Sequence, residues 1–254
     1  MCQDCGCALT TSEAVDARGS EGRSEGAAID VLHAILREND DEAQHNREHM
    51  THHGVVAINL MSSPGSGKTS LLEATIDQLA GRYRIAVIEG DLETENDARR
   101  IRAKGVPAVQ ITTGQTCHLD AHMVHRALHA LDLSAVDILF IENVGNLICP
   151  AAFDLGQHAN VALLSVTEGD DKPAKYPVMF RAADLVLLSK CDLLEVLDDF
   201  LPENAIRAIR ALANPAAVLQ LSSRRARTLA PWIEWLEHRL ARAREPDRQP
   251  ELTS

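Results

Sequence analysis

The residues Ser62-Ser63-Pro64-Gly65-Ser66-Gly67-Lys68-Thr69 combine glycines, small side chains, a lysine and a hydroxyl in the pattern of a phosphate-binding loop. They follow the apolar run 55–61, which suits a buried strand, and lead into 69–74, which reads as a helix start. A strand, a Gly-rich turn and a helix N-terminus would aim the backbone N–H groups of Gly65, Ser66, Gly67, Lys68, Thr69 and Ser70 at one point, together with the positive end of the helix dipole. Lys68 is expected to reach the β- and γ-phosphates, and the Thr69 hydroxyl to bind Mg²⁺. One position departs from G-x-x-x-x-G-K-[ST]: Ser62 stands where the first glycine is expected, and serine is small enough to serve.

Three more segments follow in the order a nucleotidase needs. Asp91 comes after Val87-Ile88-Glu89-Gly90, where a carboxylate can bind Mg²⁺ or its waters or place the attacking water. Glu142 ends the run Ile138-Leu139-Phe140-Ile141, and Gly145 follows three residues later. This E-x-x-G resembles the D-x-x-G turn, whose acid holds Mg²⁺ through water and whose glycine N–H senses the γ-phosphate. Lys68, Asp91 and Glu142 are therefore the candidate catalytic residues. No Arg or Gln stands near Glu142, so intrinsic turnover is expected to be slow. Ser189-Lys190-Cys191-Asp192 resembles the N-K-x-D guanine motif of GTPases: Asp192 would accept from the guanine N1–H and 2-amino group, with Lys190 beside it. Ser189 replaces Asn and puts one polar contact at the base edge in doubt. Leu221-Ser222-Ser223-Arg224 is the expected base-flanking loop, with Ser222 at the nucleotide.

Sulfur and imidazole make a second chemistry. Cys2, Cys5 and Cys7 form a C-x-x-C-x-C cluster whose thiolates suit Ni(II), Zn(II) or Cu(I); a square-planar N/S set would favour nickel. Adventitious thiols on a flexible tail are the alternative. Cys117, His118 and His122 lie where a helix is expected over 118–131, which would put His118 and His122 on one face with His125 and His129. Cys149 lies beyond Gly145, so a metal shared by Cys117 and Cys149 would couple metal binding to the nucleotide. An ordinary buried cysteine beside a solvent-facing histidine is the bland alternative. His45, His49, His52 and His53 read as a His-containing solvated linker or a weak metal buffer.

These residues need a frame to hold them. A chain of 254 residues with 45% apolar content suits one main domain, and 3% aromatics implies a core of Leu, Val, Ile and Ala. A formal charge of −12 argues against broad nucleic-acid or anionic-membrane binding. With no long apolar run and no signal-peptide layout, a cytoplasmic protein is expected. Strands are expected at 84–89, 108–111, 137–142, 161–167, 184–189 and 217–221, with helices near 94–104, 118–131, 202–212 and 230–243. That alternation predicts an α/β fold: a mostly parallel central sheet covered by helices on both faces, with the ligand at the strands' carboxyl ends. Residues 1–26 are expected to be a flexible tail, 27–53 an amphipathic helix and His-containing linker, 54–243 the nucleotide domain and 244–254 a disordered end.

The Cys2-x-x-Cys5-Gly6-Cys7 cluster, the 62–69 loop, the block Cys117-His118-Leu119-Asp120-Ala121-His122-Met123-Val124 and Thr167-Glu168-Gly169-Asp170-Asp171-Lys172-Pro173 together resemble the HypB family of hydrogenase nickel-incorporation GTPases. The resemblance covers residues 1–7 and about 27–243, and the Cys-His block separates HypB from its relative UreG, which carries a Cys-Pro-His arrangement. It implies a SIMIBI-class P-loop fold, GTP and GDP as ligands, a GTP-promoted homodimer, tight nickel at Cys2, Cys5 and Cys7, and nickel or zinc at Cys117, His118, His122 and Cys149. It further implies a HypA-type partner and the hydrogenase large-subunit precursor as destination. A nickel storage protein and a GTPase for another metal cofactor, such as urease nickel, are the competing readings.

Overall fold

A computed structural model describes residues 22–91, 95–114 and 116–244, with side chains from residue 34 onward. Seven strands, β1 (Val56–Ser62), β2 (Ile85–Asp91), β3 (Ala108–Thr112), β4 (Ile138–Glu142), β5 (Ala159–Ser165), β6 (Leu185–Ser189) and β7 (Ala217–Gln220), form one sheet in the order β3-β2-β4-β1-β5-β6-β7. Every pairing is parallel. Parallel neighbours need crossovers, and helices α2 (Lys68–Leu79), α3 (Asn96–Ala103), α4 (Ala121–Leu128), α5 (Lys172–Lys175), α6 (Pro177–Ala182), α7 (Pro202–Ala211) and α8 (Ala230–Arg244) supply most of them.

Because side chains alternate along a strand, each strand feeds two cores. Val56, Ile58, Leu60, Val87, Phe140, Val161 and Leu185 pack with Leu71, Ile76 and Ile101 and with Trp232 and Leu236 of α8. On the opposite face, Ala57, Ile88, Leu139 and Ile141 meet Val124 and Leu128 of α4, while Ala162, Leu164 and Val186 meet Met179, Phe180 and Ile209 of α6 and α7. The expected sheet, covered on both faces, is thus the observed one.

Helix α1 (Gly22–His52) corrects the N-terminal reading. It begins inside the expected flexible segment and runs through the expected His-containing linker, so His45, His49 and His52 are helical. The apolar pattern thins after Leu36, and two asparagines share the buried stripe with Ala43 and Met50: Asn39, Ala43, Asn46 and Met50 are all buried at helical spacing. Asn39 Nδ2 donates to Asp154 O (2.8 Å) and Asn39 Oδ1 accepts from Ala121 N (2.9 Å), while Asn46 Nδ2 donates to Ala121 O (2.8 Å). A Cβ on Gly156 would lie 2.5 Å from Ala43 O, so only glycine allows this close approach of loop to helix. The cysteines at 2, 5 and 7 and the expected C-terminal tail from 245 lie outside the described residues.

Helix α4 is also shorter than expected. Asp120 caps it by accepting from Met123 N (2.7 Å), so the helix starts at Ala121 and Cys117 and His118 stay in the preceding loop.

At the opposite end of the sheet, Asp137 accepts from Arg84 N (2.8 Å), Nε (3.1 Å) and NH2 (3.0 Å), and from Arg244 (2.8 Å). The Arg84 hydrogen bonds hold its carboxyl well below the usual range, at about 2. A depressed folded-state pKa gives stability that is full above the unfolded value near 3.8 and is lost as pH falls toward about 2. Asp137→Asn is expected to cost about 1–2 kcal/mol at pH 7, after allowance for solvent screening, and progressively less below pH 4. Urea unfolding of both proteins across that range measures it.

Candidate functional site

The carboxyl ends of β1, β2, β4, β5 and β6 converge on a pair of adjoining clefts. One, of about 510 Å³, is lined by the 64–70 loop, Glu89, Gly90, Asp91, Asp97, Arg100 and residues 142–145. The other, about 530 Å³, is lined by Ser66, Gly67, Ser70, Ser189, Lys190, Asp192 and Ser222–Arg224, among others. The four motifs, 130 residues apart in sequence at their extremes (Ser62 to Asp192), meet because parallel strands all end on one side.

In the loop, Gly65 (φ 77) and Gly67 (φ 98) hold left-handed backbone that favours glycine, and Gly67 is the N-cap of α2. Ser62 does not have a positive φ, so no glycine is needed there. Instead its Oγ accepts from Lys68 Nζ at 3.1 Å. Lys68 is 7% exposed and lies 3.9 Å from Glu142 Oε1, which also accepts from Thr69 Oγ1 at 3.0 Å. A Cβ on Gly145 would come within 2.9 Å of Pro64 Cα, so the 142–145 turn lies directly on the loop and has no room for a side chain at Gly145.

Two acids to which the sequence assigned no site role also belong here. Glu89 is buried beside Glu142; burial, then the Glu142 charge, pushes its carboxyl up to about 10. Burial also raises Glu142, against the pull of Lys68. Glu89 Oε1 and Glu142 Oε2 are buried without a hydrogen-bond partner. Orphaned hard oxygens next to the Thr69 hydroxyl, with Asp91 on the same cleft wall, are a donor set that fits Mg²⁺. Glu168, the second, reaches the loop from the β5 side and accepts from Ser66 Oγ (2.8 Å), from Ser63 Oγ and from Ser165 N (3.2 Å). A lone Glu inside an apolar strand was the available signal for Glu89; Glu168 stood in the 167–173 block that carries the family resemblance, with no contact to the loop assigned to it.

Ser189 is buried, and its Oγ donates to Ser66 O at 2.7 Å, so this residue fastens the base motif to the phosphate loop. Lys190, at φ 58, donates from Nζ to Gly65 O at 2.7 Å. Asp192 is held below the usual carboxylate range, first by a hydrogen bond from Ser222. Cys191 N donates to Leu221 O at 3.1 Å, so the two base-side loops are stitched together.

Cys117, His118 and Cys149 place their ligand atoms within 4.8 Å of one another. The two sulfurs are 3.1 Å apart, within hydrogen-bond reach and not joined in a disulfide, and His118 Nδ1 is 3.9 Å from Cys117 Sγ. The His118 ring stacks on Phe153 at 4.0 Å, and its burial lowers its pKa, which favours the neutral, ligating imidazole. Two thiols and an imidazole suit a soft or borderline cation. His122 does not join them. It is exposed on α4 and faces α1, 3.6 Å from Glu42 and 3.9 Å from Glu38, because the cap at Asp120 starts the helix after His118.

The link between cleft and thiols is made by two asparagines that the motif patterns passed over. Asn143 Oδ1 accepts from Leu119 N (3.3 Å) and Val144 N (2.9 Å). Asn146 Nδ2 donates to Cys117 O (3.3 Å), and its Oδ1 accepts from Ile148 N (2.9 Å), next to Cys149.

The family model described as CobW/HypB/UreG, nucleotide-binding domain, matches residues 56–219. The hydrogenase maturation factor HypB of Azotobacter vinelandii is 53% identical over 216 residues, 85% of this chain and 71% of the relative. That of Escherichia coli (strain K12) is 48% identical over 216 residues, covering 85% and 74%. The crystal structure of HypB from Helicobacter pylori, in complex with nickel, aligns with a TM-score of 0.78 at 40% identity, over 84% of this chain and 100% of that one. HypB from Archaeoglobus fulgidus gives 0.75 at 40% identity, over 81% and 100%. With the motifs gathered at the carboxyl ends of the strands and the relatives matched over most of their length, this chain belongs to the HypB family of hydrogenase maturation factors, P-loop GTPases of the CobW/HypB/UreG group.

Proposed function

We propose that this chain is a GTPase that couples nucleotide state to delivery of nickel into the hydrogenase large-subunit precursor. The observation that carries the reading is the single loop 142–149: Glu142 and Gly145 face the phosphate cleft, Asn146 holds the Cys117 backbone, and Cys149 faces Cys117. A γ-phosphate that moves Gly145 moves the thiols with it.

In this mechanism the 65–70 N–H groups and Lys68 bind the GTP phosphates, and Asp192 with Ser222 selects guanine. Asp91 and Glu142 orient the attacking water. Thr69, Asp91 and Glu142 would hold Mg²⁺, which when bound neutralises phosphate charge. Arg100, the guanidinium lining the phosphate cleft, is already paired with Glu73 (2.7 Å) and Asp97 (3.0 Å), which supports slow intrinsic turnover. The cargo is Ni²⁺, with Zn²⁺ able to occupy the same donors, and Cys2, Cys5 and Cys7 are the tight nickel site on the tail. Three protein donors at Cys117, His118 and Cys149 leave ligand positions open, which suits a site completed in a GTP-promoted homodimer. The partners are a HypA-type nickel chaperone and the hydrogenase precursor, met in the cytoplasm; among the described residues no helix is long and apolar enough to cross a membrane.

Nickel titration of the chain with GDP and with a non-hydrolysable GTP analogue, followed together with oligomeric state by light scattering, tests the proposal. The affinity at the thiol site is expected to differ by about 5–150-fold between the two nucleotide states, the usual span of allosteric coupling. Equal affinities, with several ions held whatever the nucleotide, would favour storage and overturn delivery.

A further inference from the structure

Helices α1 and α4 pack side by side, and their shared outer edge carries imidazoles that neither the nucleotide cleft nor the thiol site uses. His45 and His49 are one helical turn apart on α1, and His125 and His129 one turn apart at the end of α4, so each i, i+4 pair lies on one face. The two pairs face each other. Ring centroids lie 5.3 Å apart for His45 and His125, 6.0 Å for His49 and His129, and 4.6 Å for His125 and His129.

The hydrogen bonds decide which nitrogens are free. Asn46 Nδ2 donates to Ala121 O (2.8 Å), which fixes its amide so that Oδ1 faces His125. His125 Nδ1 is 3.0 Å from that Oδ1 and 3.0 Å from Glu42 Oε1, both acceptors, so Nδ1 carries the proton. The lone pair of His125 is then on Nε2, which lies 3.0 Å from His129 Nε2. Two metal–nitrogen bonds of about 2.1 Å at a right angle put their nitrogens about 3 Å apart. A carboxylate behind the ligating imidazole is the usual outer partner of a metal-bound histidine. His49 is held below its ordinary pKa by burial and by the surrounding histidines, which favours the neutral ring.

We propose that His125 and His129, whose Nε2 atoms already stand 3.0 Å apart, anchor a second, all-imidazole site for a borderline divalent cation such as Ni²⁺ or Zn²⁺, which His49 and His45 of α1 complete by turning their rings toward the ion. Glu42 and Asn46 hold the tautomer of His125. His45 and His129 are exposed, so an ion can enter from solvent. Without thiolates the site holds its ion less tightly than Cys117, His118 and Cys149 do. Of those residues Cys117 and His118 sit in the loop that leads into α4, and His125 follows His118 by seven residues, on the order of 10 Å at helical rise. The site stands on its own residues and does not depend on GTP-coupled delivery.

The test uses the full chain with Cys2, Cys5, Cys7, Cys117 and Cys149 changed to Ser, which leaves imidazole ligation to be read alone. Ni²⁺ and Zn²⁺ are titrated separately in competition with a chromophoric chelator. One ion per chain is expected to bind, with affinity reduced tenfold or more by His125→Gln with His129→Gln and unchanged by His52→Gln. Where the double variant loses its helical circular dichroism, His49→Gln gives the same reading from the other helix and is expected to weaken binding several-fold. A mere His125–His129 hydrogen bond predicts no ion in this five-serine chain. That result, or affinity indifferent to both the double variant and His49→Gln, overturns the proposal.

Discussion

Lys68→Ala is expected to lower kcat/KM for GTP by about 10²–10³-fold, the usual loss when one preorganised charge at the reacting phosphate is removed. Among the described residues, the other cations lining the phosphate cleft are already engaged. Lys190 Nζ is engaged by Gly65 O, and Arg100 is paired with Glu73 and Asp97. The ammonium of Lys68 is buried between Ser62 Oγ and Glu142, aimed by the first residue of α2 and by the loop backbone rather than by solvent. Its removal also takes from Glu142 the charge that opposes protonation, so that carboxyl shifts further toward its neutral form. Single-turnover hydrolysis, with circular dichroism as the check on folding, measures the loss. A Lys68→Ala protein that turned over GTP at the native rate would remove the phosphate-binding role from this loop.

Cys117→Ser with Cys149→Ser is expected to abolish the near-ultraviolet thiolate-to-nickel band of a chain whose Cys2, Cys5 and Cys7 are already serine. The affinity at this site should fall by about 10²-fold or more, because a neutral hydroxyl is a poor ligand where a thiolate was a charged, soft one. His118 alone remains of the three donors, and a single stacked imidazole gives little chelation. The difference in nickel affinity between GDP and GTP forms should vanish with the thiols. Cys191→Ser is the control. Its thiol points at Leu188 O, away from the other two, and the band should persist in that variant. A band that survives the Cys117 and Cys149 changes would place nickel elsewhere.

Some of this site was legible residue by residue. The 62–69 loop, the Glu142-x-x-Gly145 turn and the Ser189–Asp192 segment are runs of consecutive residues, and the backbone alone sets the spacing of their donors. The two serines that depart from the motif patterns were another matter: how Ser62 and Ser189 serve depends on Lys68 and on the Ser66 carbonyl, and both turn out to be partners. The histidines show the opposite failure. An i, i+4 spacing joined His118 to His122, but the Asp120 cap begins the helix between them and sends the two rings to different neighbours.

The sequence by itself determined the alternation of strand and helix, the parallel sheet that follows from it, and the placing of the four motifs at the strands' carboxyl ends, since each rests on local periodicity and backbone geometry. Only the tertiary structure decided that α1 runs on through Asn39 and Asn46, and that Glu168 lands on Ser66 from 102 residues away. It alone decided that Glu89 is buried against Glu142, and that Asn143 and Asn146 tie the nucleotide turn to the thiols. These are polar contacts between segments remote in the chain. The strand order brings the segments together, and a buried polar atom takes whichever partner the packing places within about 3 Å.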